Sequence, residues 1–317
     1  MKPINRLFIL LSLILTVSCE TEIDVSLPAY GSEMVVEGWI EPGEPAKVSL
    51  SKSVPYLSTI NLNTLYDEVI VKDAIVTVIA ENGDFDTLQL VQNDEAPLFW
   101  YYISPTLKGE LNTTYTLKID WNGKKYSSTT SIPDLINIDS VWLDNFQSFP
   151  SDTLKSLRVK FQDRLETKDY YLFKVKIANQ TFADRVYLTT FPIAIDDVAF
   201  PGDTYIADVL RFGTSEFYKP PQISEQDQFT YYRPFYKPGD TIYMKAAKID
   251  YNSFRFLSTA GSMMYFGVNP FTNPPQIYSN ITSETGDKCL GVWMGSASIH
   301  YKMIFENQKK LPIITKN

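Results

Sequence analysis

Apolar and polar residues alternate with period two along much of this chain. Leu117, Ile119 and Trp121 alternate with Lys118 and Asp120. Val159 and Phe161 alternate with Arg158, Lys160 and Gln162, and Phe173, Val175 and Ile177 with Lys174 and Lys176. Such runs put one set of side chains on each face of an extended strand, so one face can be buried and the other wetted. The same reading predicts strands over 34–40, 46–51, 74–81, 87–92, 114–120, 126–132, 241–250 and 290–305, the last open to interruption at Gly295. Turn formers separate these runs: Glu41-Pro42-Gly43, Asn82-Gly83-Asp84, Pro201-Gly202-Asp203 and Pro238-Gly239-Asp240. Asn122-Gly123, between two of the runs, predicts a tight hairpin. Only 251–264 has a helical spacing, a weak one, and there is no heptad pattern or fixed-period repeat.

The spacing of strands and turns predicts an all-β chain. Residues 34–135 have the size and strand density of one immunoglobulin-like β-sandwich. Thr114-Tyr115-Thr116-Leu117 resembles the tyrosine-corner strand of such sandwiches, and Pro133 ends the run that follows. A second β-rich domain is expected over 136–317, opening at Val141 and Trp142. Residues 213–240 hold Pro220, Pro221, Pro234 and Pro238 among many aromatics, which reads as a long loop.

The N-terminus has a different character. Lys2 and Arg6 precede an apolar run over 7–17 (LFILLSLILTV), 11 residues long. A membrane-spanning helix needs roughly 20 such residues, so this run suits the core of a secretory signal. Thr16-Val17-Ser18-Cys19 follows and resembles the lipobox of bacterial lipoproteins, in which the cysteine is acylated and becomes the first residue. The expectation is a signal peptide over 1–18, lipidated Cys19, and a tether over 19–33 in which Pro28 and Gly31 oppose regular structure. The acyl chains would hold the protein on a bilayer, each buried CH₂ contributing about 0.8 kcal/mol.

Composition narrows the function classes. With 317 residues, 44% of them hydrophobic, the chain can bury two cores, which excludes wholesale disorder. Lys plus Arg number 29 and Asp plus Glu 37, a net charge of −8. Loss of Lys2 and Arg6 with the leader, which has no acidic residue, would take this to −10. Such an acidic chain is not expected to bind nucleic acid, because phosphate neutralisation requires clustered Lys and Arg.

The chain has one histidine, His300, and two cysteines. If Cys19 carries lipid, Cys289 alone cannot form an intrachain disulfide, and it is expected to be a partly buried bystander. A Ser-His-Asp or Cys-His device would depend on His300, which lies in an alternating strand pattern. A zinc site built on several histidines is impossible within one chain, and no HExxH, P-loop or GxGxxG pattern occurs. No cofactor is expected from these patterns, while the carboxylates are numerous enough that a glycosidase-type pair stays open by counting. Asp196-Asp197 and Glu225-Gln226-Asp227 could offer oxygen ligands to Ca²⁺, and the solvated-loop reading is preferred for both. Asp86-Thr87, Asp139-Ser140, Asp152-Thr153 and Asp240-Thr241 match a short O-glycosylation pattern, although Asp-Thr at strand starts also serves turn chemistry. For ligand or partner contact the sequence points to Tyr231, Tyr232, Phe235 and Tyr236, with Arg233 as a polar anchor. Aromatics offer large contact area at low entropic cost, and local packing of the loop is the competing explanation.

Three stretches add a family resemblance. They are Cys19-Glu20-Thr21-Glu22-Ile23-Asp24, Val35-Val36-Glu37-Gly38-Trp39-Ile40, and 48–56 (VSLSKSVPY). Together with Asn269-Pro270-Phe271-Thr272-Asn273-Pro274-Pro275 and Ser279-Asn280-Ile281 they resemble one family of Bacteroidota lipoproteins, domain of unknown function 4249. The chain departs from that family at 285–293 (TGDKCLGVW), where a glycine-rich stretch is common. Family members are typically encoded beside TonB-dependent outer-membrane receptors. The resemblance implies an outer-membrane lipoprotein, non-enzymatic, acting as accessory to such a receptor by docking or ligand delivery. Glu20, Glu22 and Asp24 after the anchor resemble a surface-export signal, with a plain acidic linker as the equal alternative. The other function classes are a stand-alone surface binder of glycan or peptide and, last, a carboxylate-dependent hydrolase.

Overall fold

The computed structural model describes residues 32–54, 69–92, 100–145, 155–178, 187–210, 235–266, 276–306 and 314–315. The chain is all-β, as the alternation predicts, with one long helix among the described residues. It opens with β1 (Met34–Ile40), β2 (Pro45–Lys52), β3 (Ile75–Ala80), β4 (Phe85–Thr87), β5 (Gln89–Gln92) and β6 (Trp100–Lys108). The hairpin of β7 (Thr113–Trp121) and β8 (Lys124–Ile132) follows. Next come β9 (Asn137–Asp144), β10 (Ser156–Gln162), β11 (Tyr170–Ile177), β12 (Leu188–Asp196) and β13 (Thr204–Val209). The last elements are β14 (Thr241–Ile249), helix α1 (Tyr251–Phe266), β15 (Thr282–Ser283), β16 (Cys289–Ile304) and β17 (Ile314–Thr315).

A long sheet in the order β12-β11-β14-β16-β1-β2-β6-β5, with β17 beside β16, backs two smaller sheets. The five-stranded sheet β15-β8-β7-β3-β4 shares a core with the β1, β2 and β6 part. Val36, Val48, Leu50, Val78, Leu117 and Tyr126 meet there. The three-stranded sheet β13-β10-β9 shares a second core with β11, β14 and the end of β16, built on Phe161, Tyr171, Phe173, Met244 and Tyr301. Strands from both sides of residue 135 thus pair within one sheet, through the parallel register of β1 on β16. At about 3.3 Å per residue the 16-residue β16 runs roughly 50 Å, long enough to serve both cores. Trp293 fills the first core, fully buried, with its indole N–H donating to the Tyr115 carbonyl at 3.0 Å.

Local chemistry explains where these elements begin and turn. Asn122 (φ 51°) and Gly123 (φ 75°) hold both central residues of the β7–β8 turn in the left-handed region that a tight hairpin demands. Gly38 is needed for space, since a Cβ there would stand 2.8 Å from the Trp293 ring. Gly291 is needed for backbone approach, with φ +128° and the Val36 carbonyl oxygen 1.8 Å from any added Cβ. β16 passes through Gly295 unbroken, because a close contact with the Ser131 backbone leaves room only for glycine there. Asp250 caps α1 by accepting the Ser253 amide at 2.7 Å, which starts the helix where the weak spacing placed it.

Strand β6 is not evident from alternation, because Ser104, Pro105 and Thr106 sit inside it. Buried Asp86 takes over the pairing there. Its carboxylate accepts the Ser104 and Thr106 hydroxyls and the Thr106 and Leu107 amides at 2.5–2.8 Å.

Candidate functional site

The outward face of the long sheet is divided in two. Above its middle, Leu172, Ala247, Ile249, Val292 and Met294 pack against Phe254, Phe256 and Leu257 of α1. Below it the strands turn from apolar to cationic. The antiparallel registers set Lys174 of β11 opposite Lys245 of β14, and Lys245 opposite His300 of β16. One pleat further along, Lys176 lies opposite Tyr243, and Tyr243 opposite Lys302. Neighbouring strands are about 4.8 Å apart and one pleat repeat is about 7 Å, so these six residues occupy roughly 10 by 7 Å of backbone.

Like charges set directly across a strand pair repel. The surroundings offset this only in part. Lys245 donates to both oxygens of Glu41, at 3.1 and 2.8 Å, and His300 Nε2 stands 3.6 Å from the same carboxylate. The Ser296 hydroxyl adds a longer bond of 3.4 Å. Burial alone would raise the Glu41 carboxyl, but His300 and the Lys245 ammonium outweigh it and hold the group at about 2. Tyrosine faces shield the other cations. Lys176 lies 4.9 Å from the Tyr187 ring and 5.5 Å from that of Tyr243, and Lys302 lies 5.7 Å from Tyr243. Lys245 is 5.1 Å from Tyr187, whose phenol is pushed up to about 12, by burial first and then by Glu41. Lys174 meets no carboxylate at ion-pair distance among the described residues. Burial pushes its ammonium below the usual lysine range; Glu41 opposes this and Lys245 adds to it.

This arrangement suits holding negative charge. Further back along β16 the Ser296 and Ser298 hydroxyls, 3.2 Å apart, bond each other. Cys289 is half-buried and its thiol is pushed up to about 12 by desolvation and Glu33, which leaves little thiolate. No group of three or more His, Cys, Asp or Glu that could hold a metal ion occurs among the described residues.

A second concavity, of about 460 Å³, lies on the outer side of the β7–β8 hairpin. Thr116, Ser127, Thr129 and Thr282 line it with hydroxyls, beside Asn252 and Tyr278. The Tyr278 hydroxyl donates to Asn252 at 3.0 Å, and Arg255 stacks on the Tyr278 ring at 3.9 Å.

Of the residues singled out from sequence, Cys19, Tyr231, Tyr232 and Arg233 lie outside the described residues, as do Glu225 and Asp227. Phe235 is half-buried. Tyr236 is a core residue, fully buried with its hydroxyl on the Val209 carbonyl at 3.2 Å, which corrects its assignment as a contact side chain. Asp197 is buried and its carboxylate accepts the Asp169 amide at 2.6 Å, so its place is structural. Asp240 is likewise buried and accepts the Lys237 amide within its own turn, as turn chemistry expects, whereas buried Asp86 accepts the Thr106 and Leu107 amides of β6. The cationic face was not singled out from sequence. Its residues come from three strands distant in sequence, and each lysine locally reads as an ordinary wetted position.

Comparison with known sequences adds one finding. A family described as a domain of unknown function (DUF4249) matches residues 20–300, and the chain belongs to that family. No curated protein matches it.

Proposed function

Starting from membership in the DUF4249 family, we propose that this chain is a lipid-anchored, non-catalytic binding protein of the outer membrane that assists a TonB-dependent receptor. The observation that carries the reading is the sequence Thr16-Val17-Ser18-Cys19 after a short basic and apolar leader, ahead of a family match beginning at residue 20. An anchor followed directly by a large β domain suits a protein that presents binding surface at a membrane. The outward sheet face supports a binding role, because four lysines converge on it. The test is affinity recovery of the tagged full chain from detergent-solubilised outer membranes, with mass spectrometry of co-purifying proteins. A stoichiometric TonB-dependent receptor is the expected result. Recovery of the chain alone, under conditions that keep known membrane complexes intact, would count against it.

The hydroxyl-lined concavity favours a second reading, a surface binder of glycans acting without a receptor. Hydroxyl and amide groups beside a tyrosine, with Lys118 and Glu284 in the same lining, match the hydrogen-bonding chemistry of sugar hydroxyls. Saturable glycan binding by the purified chain, lost in Asn252→Ala, would support this reading over the first.

A further inference from the structure

We propose that the outward face formed by Lys174, Lys176, Lys245, His300, Lys302 and Tyr243 is a binding site for a compact phosphate-bearing anion. The chain has eight more acidic than basic residues, yet four lysines and its single histidine converge on two adjacent cross-strand rows. The strand registers fix the backbone positions of these residues on one face of the sheet, so all five stems leave it side by side. Among the described residues, Glu41 forms its ion pairs with Lys245 and His300, and the Ser296 hydroxyl bonds it as well. Lys174, directly across from Lys245, keeps a like-charged neighbour and gains no described ion pair.

A bound anion between the rows relieves this repulsion. The rows define its size: roughly 10 by 7 Å accommodates one or two phosphate groups and not an extended polymer. Lysine ammoniums serve as point-charge partners for phosphate from several directions. Tyr243, between Lys176 and Lys302 in its row, keeps both ammoniums close to the face. This site is separate from the receptor reading, and failure of either leaves the other standing.

The shared chemistry is phosphate, whether free in solution or on a lipid headgroup. Two probes separate these sources: inorganic pyrophosphate, and a short-chain phosphatidylglycerol kept below its micelle concentration. Each is titrated calorimetrically into the purified full chain at low ionic strength. Saturable binding of at least one probe is expected, weakening steeply with added salt. A stronger response to pyrophosphate assigns a free ligand, and a stronger response to the lipid assigns a headgroup. Lys174→Met is expected to lower affinity at least tenfold while leaving the melting temperature of the ligand-free protein unchanged or raised, because it removes an opposed charge. Lys302→Gln, at an exposed position, provides a second variant free of folding risk and should weaken binding severalfold. Absence of saturable binding for both probes, or unchanged affinity in the Lys174→Met, Lys302→Gln double variant, would overturn the proposal.

Discussion

Replacing Glu41 by glutamine removes the carboxylate that Lys245 and His300 share while keeping the side chain's size. Glu41 is 8% exposed, so solvent screens the pair only weakly. Its carboxyl is held at about 2, against 4.5 for an unperturbed glutamate. By linkage this difference corresponds to about 3 kcal/mol of native-state stability at neutral pH. The sign follows from the direction of the shift. A carboxyl depressed on folding contributes fully above its unfolded value of 4.5 and loses that contribution as pH falls towards about 2. At pH 7, Glu41→Gln should therefore be less stable by about 3 kcal/mol, a drop in melting temperature of roughly 6–12 °C. At pH 3.5 the gap should narrow to about 2 kcal/mol, because the parent has begun to lose the term that the variant never had. Urea unfolding of both proteins at the two pH values measures this directly. A gap below about 1 kcal/mol at pH 7, or one that does not change with pH, would refute the ion-pair account.

Other positions give independent tests. Gly291→Ala puts a methyl group 1.8 Å from the Val36 carbonyl oxygen and should prevent the β1–β16 pairing, seen as loss of soluble folded protein or of near-ultraviolet dichroism from Trp293. Gly38→Ala meets the Trp293 ring instead, which can shift, so a milder loss of about 1–3 kcal/mol is expected in chemical denaturation. Asp86→Asn places a donor among four donors and should cost about 2 kcal/mol at pH 7. The Asp86 carboxyl is depressed from 3.8 to about 2, its backbone and hydroxyl donors outweighing burial, so that deficit should shrink below pH 4 in the same assay. Tyr236→Ala should lower stability by about 3–5 kcal/mol, and Tyr236→Phe by about 1, in contrast to the small effect expected of a surface contact residue.

Much of the architecture is legible in the sequence because a strand with one buried face writes its period into the residue order. The hairpin at Asn122-Gly123 is legible for a similar reason, since both positions need a positive φ that few residues tolerate. Helix α1 shows as a weak spacing because its first turn is set by Asp250 and its packing by Gly261, where a Cβ would stand 2.8 Å from Ile193. β6 is hidden because Asp86, from another strand, satisfies amides that its own sequence leaves without regular partners. Tyr236 reads as part of an aromatic loop, yet its backbone pairs with Lys155 and its ring fills the second core. That pairing joins distant segments and leaves no local trace.

By itself, then, the sequence determined the class of fold, the turns and the family, because each is written in neighbouring residues. Tertiary structure decided the alignment of strands. It laid β16 beside β1 in parallel and beside β14 in antiparallel register, so that one strand serves two cores. The same registers brought Lys174, Lys245 and His300 into one row, where Glu41 reaches Lys245 and His300. A lysine on a wetted strand face looks the same in sequence whether its cross-strand neighbour is an acid, a tyrosine or another lysine. Electrostatic energy depends on that neighbour, and only the folded sheet supplies it.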